Sequence, residues 1–394
     1  MPDQFLHGVE VVQIDTGLRP IRTAKSSIIG FVGTAPAADV TEFPEDTAVL
    51  VKGPIHAGLL GVTGTLKDAY LAAYNQGVSA IVVVRVAEGV DAATTMASVI
   101  GDATQGTGCY ALLTAGSVTG QEPRIIAAPG HTAPADPATK SPVAAVLETV
   151  ADRLRAICIV DGPNTNEADA LTYKGTFGGK RTYMVDPYVK VFDTDTASYV
   201  TQPASGFVAG VISNSDNTRG YWWSPSNVEL KGVTGTARPI SFNLSSTETE
   251  ANRLNEGEVA TIVRQDGFRL WGNRGTSADA LWAFISVVRT NDLIADSIAR
   301  AHLWAMDRPF STQLVKDIQD SVQAYLDRLT SLGAILGGAV WLDPELNSET
   351  ELKAGKLYLN YDIEPPAPLE HLIFRAHRNG SYYDDLIAEV ATAA

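Results

Sequence analysis

The pattern of hydrophobic and polar positions divides the chain into an arm, two bodies and a tail. Near the start, Gly8-Val9-Glu10-Val11-Val12-Gln13-Ile14 is β-branched and roughly alternating, and the polar, proline-containing stretch 15–26 cuts it off from the rest of the chain. Near the end, Tyr382-Tyr383-Asp384-Asp385-Leu386-Ile387-Ala388-Glu389-Val390 forms a short amphipathic tail behind the turn signal Asn379-Gly380. Both read as strands with no local partner. Because every backbone N–H and C=O needs one, such ends either fold back or complete a sheet on another molecule.

Between them, Ser27-Ile28-Ile29-Gly30-Phe31-Val32-Gly33-Thr34 is a short apolar run bounded by glycine and proline, the mark of a buried strand. Val49-Leu50-Val51 predicts a second strand. Residues 65–74 predict a helix with Leu66, Ala69, Tyr70 and Ala73 on one face, and Gly77 ends it before a buried strand at 80–86. Strands at 124–127 and 156–160 flank a helix at 142–154, and a strand at 182–185 precedes a helix over 207–214. Continuous apolar strands alternating with helices imply a largely parallel sheet covered on both faces, hence an α/β domain. Between 90 and 121 the alternation gives way to Ala, Thr, Ser and Gly, which predicts a surface insertion or small peripheral lobe.

Residues 217–249, with Trp222, Trp223 and Pro225, read as irregular and mark a boundary. An α+β pattern comes next. Strands at 259–263 and 268–271 surround a Gln265-Asp266-Gly267 turn, and Leu281, Phe284, Ile285 and Val288, then Leu293, Ile294 and Ile298, have helical spacing. A helix over 312–330 carries the stripe Leu314, Val315, Ile318, Val322, Tyr325, Leu326 and Leu329 opposite Lys316, Asp317, Asp320 and Arg328. Two strands, 356–364 and 371–378, are separated by Pro365-Pro366-Ala367-Pro368, a stiff connection that is no tight hairpin turn. The domains expected are therefore an arm and linker at 1–26, an α/β domain at 27–249, an α+β C-terminal domain at 250–378 and a second arm at 379–394.

Composition narrows the class. In 394 residues, 45% hydrophobic and 19% charged residues suit a folded protein with a sizeable core, and apolar runs such as 80–84 are too short to span a bilayer. The first residues lack a basic and apolar leader, so folding in a cytoplasm is expected. Cys109 and Cys158 are too few and too distant for a disulfide framework or a metal cluster. A net charge of −15 disfavours nucleic acid and anionic membranes as partners.

Few residues point to chemistry. Gly175-Thr176-Phe177-Gly178-Gly179-Lys180-Arg181 superficially resembles a phosphate loop, but it is one residue short and places Arg181 where Ser or Thr would hold magnesium. Gly106-Thr107-Gly108-Cys109-Tyr110-Ala111 fits a loose dinucleotide pattern without a strand before it or a helix after it. His7, His56, His131, His302, His371 and His377 are scattered; His371 and His377 share a strand face and read as exposed polar groups rather than ligands. Cys158 reads as an inert core thiol. Asp161-Gly162-Pro163-Asn164 follows a strand where α/β enzymes place active-site loops, but the acid has no partner in the pattern. No catalytic residue, cofactor or metal is assigned.

One long run does carry a resemblance: Leu254-Asn255-Glu256, Ala260-Thr261-Ile262-Val263-Arg264, Gly267-Phe268-Arg269-Leu270-Trp271-Gly272-Asn273-Arg274 and Trp282-Ala283-Phe284-Ile285-Ser286-Val287-Val288-Arg289-Thr290, continuing through Asp292-Leu293-Ile294-Ala295-Asp296-Ser297-Ile298 and Gly333-Ala334-Ile335-Leu336-Gly337-Gly338. It resembles the C-terminal core of contractile-tail sheath proteins, in particular those of P2-like myophages and R-type pyocins. Upstream, Gly8-Val9-Glu10-Val11, Arg19-Pro20-Ile21-Arg22-Thr23, Gly33-Thr34-Ala35-Pro36, Asp161-Gly162-Pro163-Asn164 and Ser224-Pro225-Ser226-Asn227-Val228 also resemble that family, and the similarity is weakest over 90–121.

The resemblance implies a structural subunit of a virion tail or tail-like particle, made in the bacterial cytoplasm. Such a subunit forms stacked hexameric rings around a tail tube and contracts to drive the tube through an envelope. Energy would come from a metastable extended lattice without nucleotide, and the partners implied are other copies of the chain, the tube protein, and baseplate and tail terminator proteins, with no membrane insertion. The α/β domain would lie outside and the C-terminal domain would face the tube. Both arms would donate strands to neighbouring subunits: Val9, Val11, Val12 and Ile14 from one end, Leu386, Ile387 and Val390 from the other, with stretch 15–26 as a flexible hinge. The receiving strands would carry Leu357, Leu359, Tyr361, Ile363, Leu372 and Phe374. Lys316 and Arg328 are candidate tube contacts. An α/β enzyme using the 161–164 loop and a non-contractile shell protein are the alternatives.

Overall fold

The computed structural model describes residues 20–194 and 196–392. The N-terminal strand candidate with Val9, Val11, Val12 and Ile14 lies outside them.

Apolar runs of three to six residues build a six-stranded sheet. Its strands are β1 (Ile29–Thr34), β2 (Ala48–Val51), β3 (Ile81–Val86), β4 (Ile125–Ala127), β5 (Ile157–Asp161) and β6 (Thr182–Val185), ordered β2-β3-β1-β4-β5-β6. All neighbours pair in parallel except the antiparallel edge strand β2. Strand alternation sends Ile29, Phe31, Ile81, Val83, Ile125 and Ile159 to one face and Val32, Val82, Val84, Ile126 and Cys158 to the other. The short α1 (Pro54–Gly58) leads into α2 (Leu66–Tyr74), which covers the first face. The second face is covered by α3 (Ala92–Ile100), α4 (Ala115–Thr119) and α5 (Pro142–Leu154), and α6 (Glu167–Lys174) follows β5. On the first face α2 is joined by α7 (Ala204–Thr218), and Gly210 lets them touch, since a Cβ there would lie 2.8 Å from the Ala73 backbone.

Residues 90–121 correct one expectation. They are not a surface insertion, because Val99, Cys109, Ala111, Leu112 and Ala115 are buried beneath the sheet. Small residues there allow close packing, and lost periodicity reflects the 3-10 turn Gly108–Thr114.

Two three-stranded sheets flank this body. One combines β7 (Val189–Asp193), β8 (Ser198–Gln202) and β10 (Val233–Thr236); the other combines β9 (Val228–Glu229), β11 (Thr261–Arg264) and β12 (Phe268–Trp271) after α8 (Glu250–Glu256). Ala260, Ile262, Leu270, Ile285 and Val288 belong to the core of the α/β body, so that core runs on past residue 250, where a boundary was expected.

A smaller core joins α9 (Ile285–Ala301), α10 (Thr312–Ser331) and the hairpin-like pair β13 (Gly338–Leu342) and β14 (Leu359–Ile363), with α11 (Glu349–Lys353) in their connection. Ile294, Val322, Tyr325, Leu326, Leu329, Ile335 and Val340 fill it. The partner of β14 is thus β13, and residues 371–378 form no strand. Pro365-Pro366-Ala367-Pro368 carries the chain away before it can turn back. The tail is a further correction. It is the helix α12 (Tyr382–Thr392), not a strand. Asp384 and Asp385 in its first turn complement the helix dipole.

Candidate assembly site

In a doubly wound sheet the ligand crevice lies at the carboxyl ends of the strands where the order reverses, here between β1 and β4. That place is filled. Thr65 donates its N–H to the Thr34 carbonyl at 2.9 Å, its hydroxyl accepts the Thr34 N–H at 3.2 Å, and His131 Nε2 lies 3.3 Å from the same hydroxyl. Gly64, at φ +93°, makes this possible, since a Cβ there would meet the Thr34 carbonyl oxygen at 2.3 Å.

Asp161 has a structural partner set that the pattern did not reveal. Its carboxylate accepts the Ser205 N–H at 2.8 Å and the Ser205 hydroxyl at 2.6 Å, capping the start of α7, and the Thr132 hydroxyl lies 3.4 Å away. Complete burial pushes its pKa up to about 6. The next acid, Asp186, accepts the Asn164 N–H at 2.7 Å and pairs with Arg238, which also pairs with Glu250. The loop therefore braces the body. Lys180 of the phosphate-loop lookalike stands 4.2 Å over the Trp282 ring, and Arg181 forks onto Asp292 at 2.7 and 2.6 Å.

The surfaces left unfinished lie in the C-terminal body. Antiparallel pairing sets Val340 opposite Tyr361. Val340 sends its N–H to Gln323 Oε1 at 3.1 Å and receives Gln319 Nε2 on its carbonyl at 3.3 Å, so it is a position that does not bond to β14. Alternation along the ladder then turns the backbone groups of Leu359, Tyr361 and Ile363 away from β13, along an outer edge that no other described strand pairs with. Leu357 stands just before β14.

Beyond β14 the chain leaves the body. Pro365 is buried, and from there to the end of α12 the tie to the body is the fork of Arg274 onto Glu370, at 2.9 and 2.6 Å, with the guanidinium 5.1 Å over the Phe284 ring. Leu369, Leu372, Ile373 and Phe374 are exposed in this extended stretch, Phe374 to 86%, as are Leu386, Ile387 and Val390 on α12. Exposed apolar side chains and an open strand edge are both features of surfaces that take a partner.

The linker is not slack over its described part. Ile21 is buried in the C-terminal core, the Ala24 N–H reaches Ser297 Oγ at 2.9 Å, and Arg289 donates to the Ser26 carbonyl at 3.3 Å. Residues 20–26 thus form a fastened strap, which corrects the expectation of a hinge there. Arg328 is part of it: it donates to Thr23 Oγ1 at 3.2 Å and lies 5.7 Å over the Tyr325 ring. Lys316 is exposed on α10 and forms no ion pair with any described residue. One face of α9, Arg289, Asp292, Asp296 and Arg300, bolts the two bodies together through Asp216, Arg181, Arg124 and Glu122. That spacing was readable as a helical stripe, but its partners are far away in sequence.

The chain matches two family models, that of the phage tail sheath protein central domain over residues 103–276 and that of the phage tail sheath C-terminal domain over residues 277–378. It is 38% identical over 391 residues to a prophage major tail sheath protein of Pseudomonas aeruginosa strain UCBPP-PA14, covering 97% of this chain and 99% of that one. It is 35% identical to the tail sheath protein of Escherichia phage P2, covering 98% of each. Among solved structures, the fold matches the contracted helical sheath of the anti-feeding prophage with a TM-score of 0.72 at 18% identity, covering 95% of this chain and 100% of that one. It also matches a chain of the contracted sheath complex of PVC, an extracellular contractile injection system, with a TM-score of 0.69 at 17% identity, covering 97% and 100%.

Proposed function

Since the chain belongs to the contractile tail sheath family, we propose that it polymerises as stacked hexameric rings around a tail tube and shortens to drive that tube through a bacterial envelope. The observation that carries this reading is the open β14 edge, followed in the chain by an arm whose apolar side chains are exposed. An arm from a neighbouring copy supplies the missing backbone partners, and main-chain pairing tolerates the change of angle that shortening requires.

The arm has two candidate donors. Residues 369–378 are already extended and can add to an edge without refolding, whereas Leu386, Ile387 and Val390 must leave a helix first. The extended segment is therefore assigned as the C-terminal donor, and residues 8–14, ahead of the strap, as the N-terminal one. Energy for shortening resides in the extended lattice. The tube, the baseplate and a tail terminator are the further partners, in a virion tail or tail-like particle assembled in the bacterial cytoplasm. Of the two cations considered for the tube, Lys316 is the free one, because Arg328 already serves the strap.

Deleting residues 1–16 tests the reading. The truncated subunit is expected to keep the melting temperature of the full chain to within a few degrees, and to give no tubes or ring stacks by negative-stain microscopy on coexpression with a tube protein. Normal tubes from the truncated chain would remove the N-terminal arm from the account.

A further inference from the structure

The two-stranded sheet has two edges, and only one is open. Along the outer side of β13, Gln323 holds a peptide-like pose: its Nε2 donates to the Gly338 carbonyl at 3.2 Å while its Oε1 accepts the Val340 N–H at 3.1 Å. An amide that donates to one residue and accepts from the next but one does what a peptide unit of an adjacent strand would do. Its orientation is set by a further bond from Nε2 to Asp327 Oδ1 at 2.8 Å, one helical turn on. Four residues earlier on α10, Gln319 Nε2 takes the Val340 carbonyl at 3.3 Å. The backbone of β13 between Gly338 and Val340 is thus already paired, by side chains.

We infer that Gln323 and Gln319 imitate a neighbouring strand, block the β13 edge and so direct incoming arms of other copies to β14. This rests on the proposed strand addition between copies. An unblocked β13 would offer a second template in the same sheet, on the opposite side from the first, so that incoming arms could seat in two places. Helix α10 is well placed for the task, since the same helix buries Val322 and Leu326 against β13 and holds the glutamines at fixed height.

The test combines two variants with backbone amide exchange and negative-stain microscopy. In the full-length Q319A/Q323A chain the Val340 amide is expected to exchange at least about tenfold faster than in the native subunit. On polymerisation it should regain protection, and the polymers should be short, branched or irregular. Q323E keeps the acceptor for the Val340 N–H but loses the donor to Gly338, and should give intermediate regularity; it also serves if the double variant does not fold. Regular tubes at native rate and yield from Q319A/Q323A, or from Q323E in its place, would overturn the inference. Native polymers that gain no protection at either edge would instead sink strand addition itself.

Discussion

At the scale of single residues, Asp161 shows how an acid at the end of a strand can be structural. It sits where an α/β enzyme would place a catalytic group, yet its oxygens are occupied by Ser205 and Thr132, and its environment raises its pKa from 3.8 to about 6. The folded state therefore binds a proton more tightly than the unfolded chain. Stability from this group is fully present below pH 3.8 and is lost as pH rises through about 6, a swing on the order of 3 kcal/mol. In D161N that swing is absent, because an amide does not titrate, and the hydroxyls of Ser205 and Thr132 can rotate to serve it. Thermal melts of the two proteins between pH 4 and pH 7 should show the native chain losing ground to D161N as pH rises. A constant difference across that range would show that Asp161 does not titrate there.

The elements show which parts of the design are local. The arm's take-off is one example: after buried Pro365 the extended stretch is held by Arg274 through Glu370, and its apolar residues are largely exposed. Cys109 and Cys158 are buried, with thiols pushed up to about 12, so a nitroxide on Leu372→Cys labels one site. In the free subunit that label is expected to become markedly more mobile when Arg274→Ala removes the fork, and to be restored by the charge swap R274E/E370R. Identical spectra for all three would mean that Pro365 to Pro368 alone aims the arm.

The same region separates what was legible in the sequence from what was not. The parallel-sheet strands, α5, α10 and the turn between β11 and β12 follow from local periodicity and turn residues. Strand β13 is hard to read although Ala339-Val340-Trp341-Leu342 lies between Gly-Gly and Asp-Pro, because four residues show too little alternation to compete with the more regular 356–364. The tail is ambiguous because a period of two and a period of 3.6 are hard to tell apart in nine residues. The strap, the Gln323 block and the pairing of Arg328 with Thr23 join residues 15 to 305 positions apart, which no local pattern encodes.

For the whole molecule, the two bodies form one unit. The α9 stripe binds them by ion pairs that include Asp216 and Asp292, both nearly inaccessible, and the strap threads the same junction. Buried charges with fixed partners resist sliding, because separating them exposes uncompensated charge. Motion between copies is then expected at the C-terminal arm, which has few ties among the described residues, rather than within the subunit. The central claim is that copies join by adding an arm strand to β14. Its most direct measurement is backbone amide exchange at Leu359, Tyr361 and Ile363 in the free subunit and in the polymer. The account predicts fast exchange in the subunit and, in the polymer, slowing by roughly a hundredfold or more at these three alternating positions. Equal exchange in both states would contradict it.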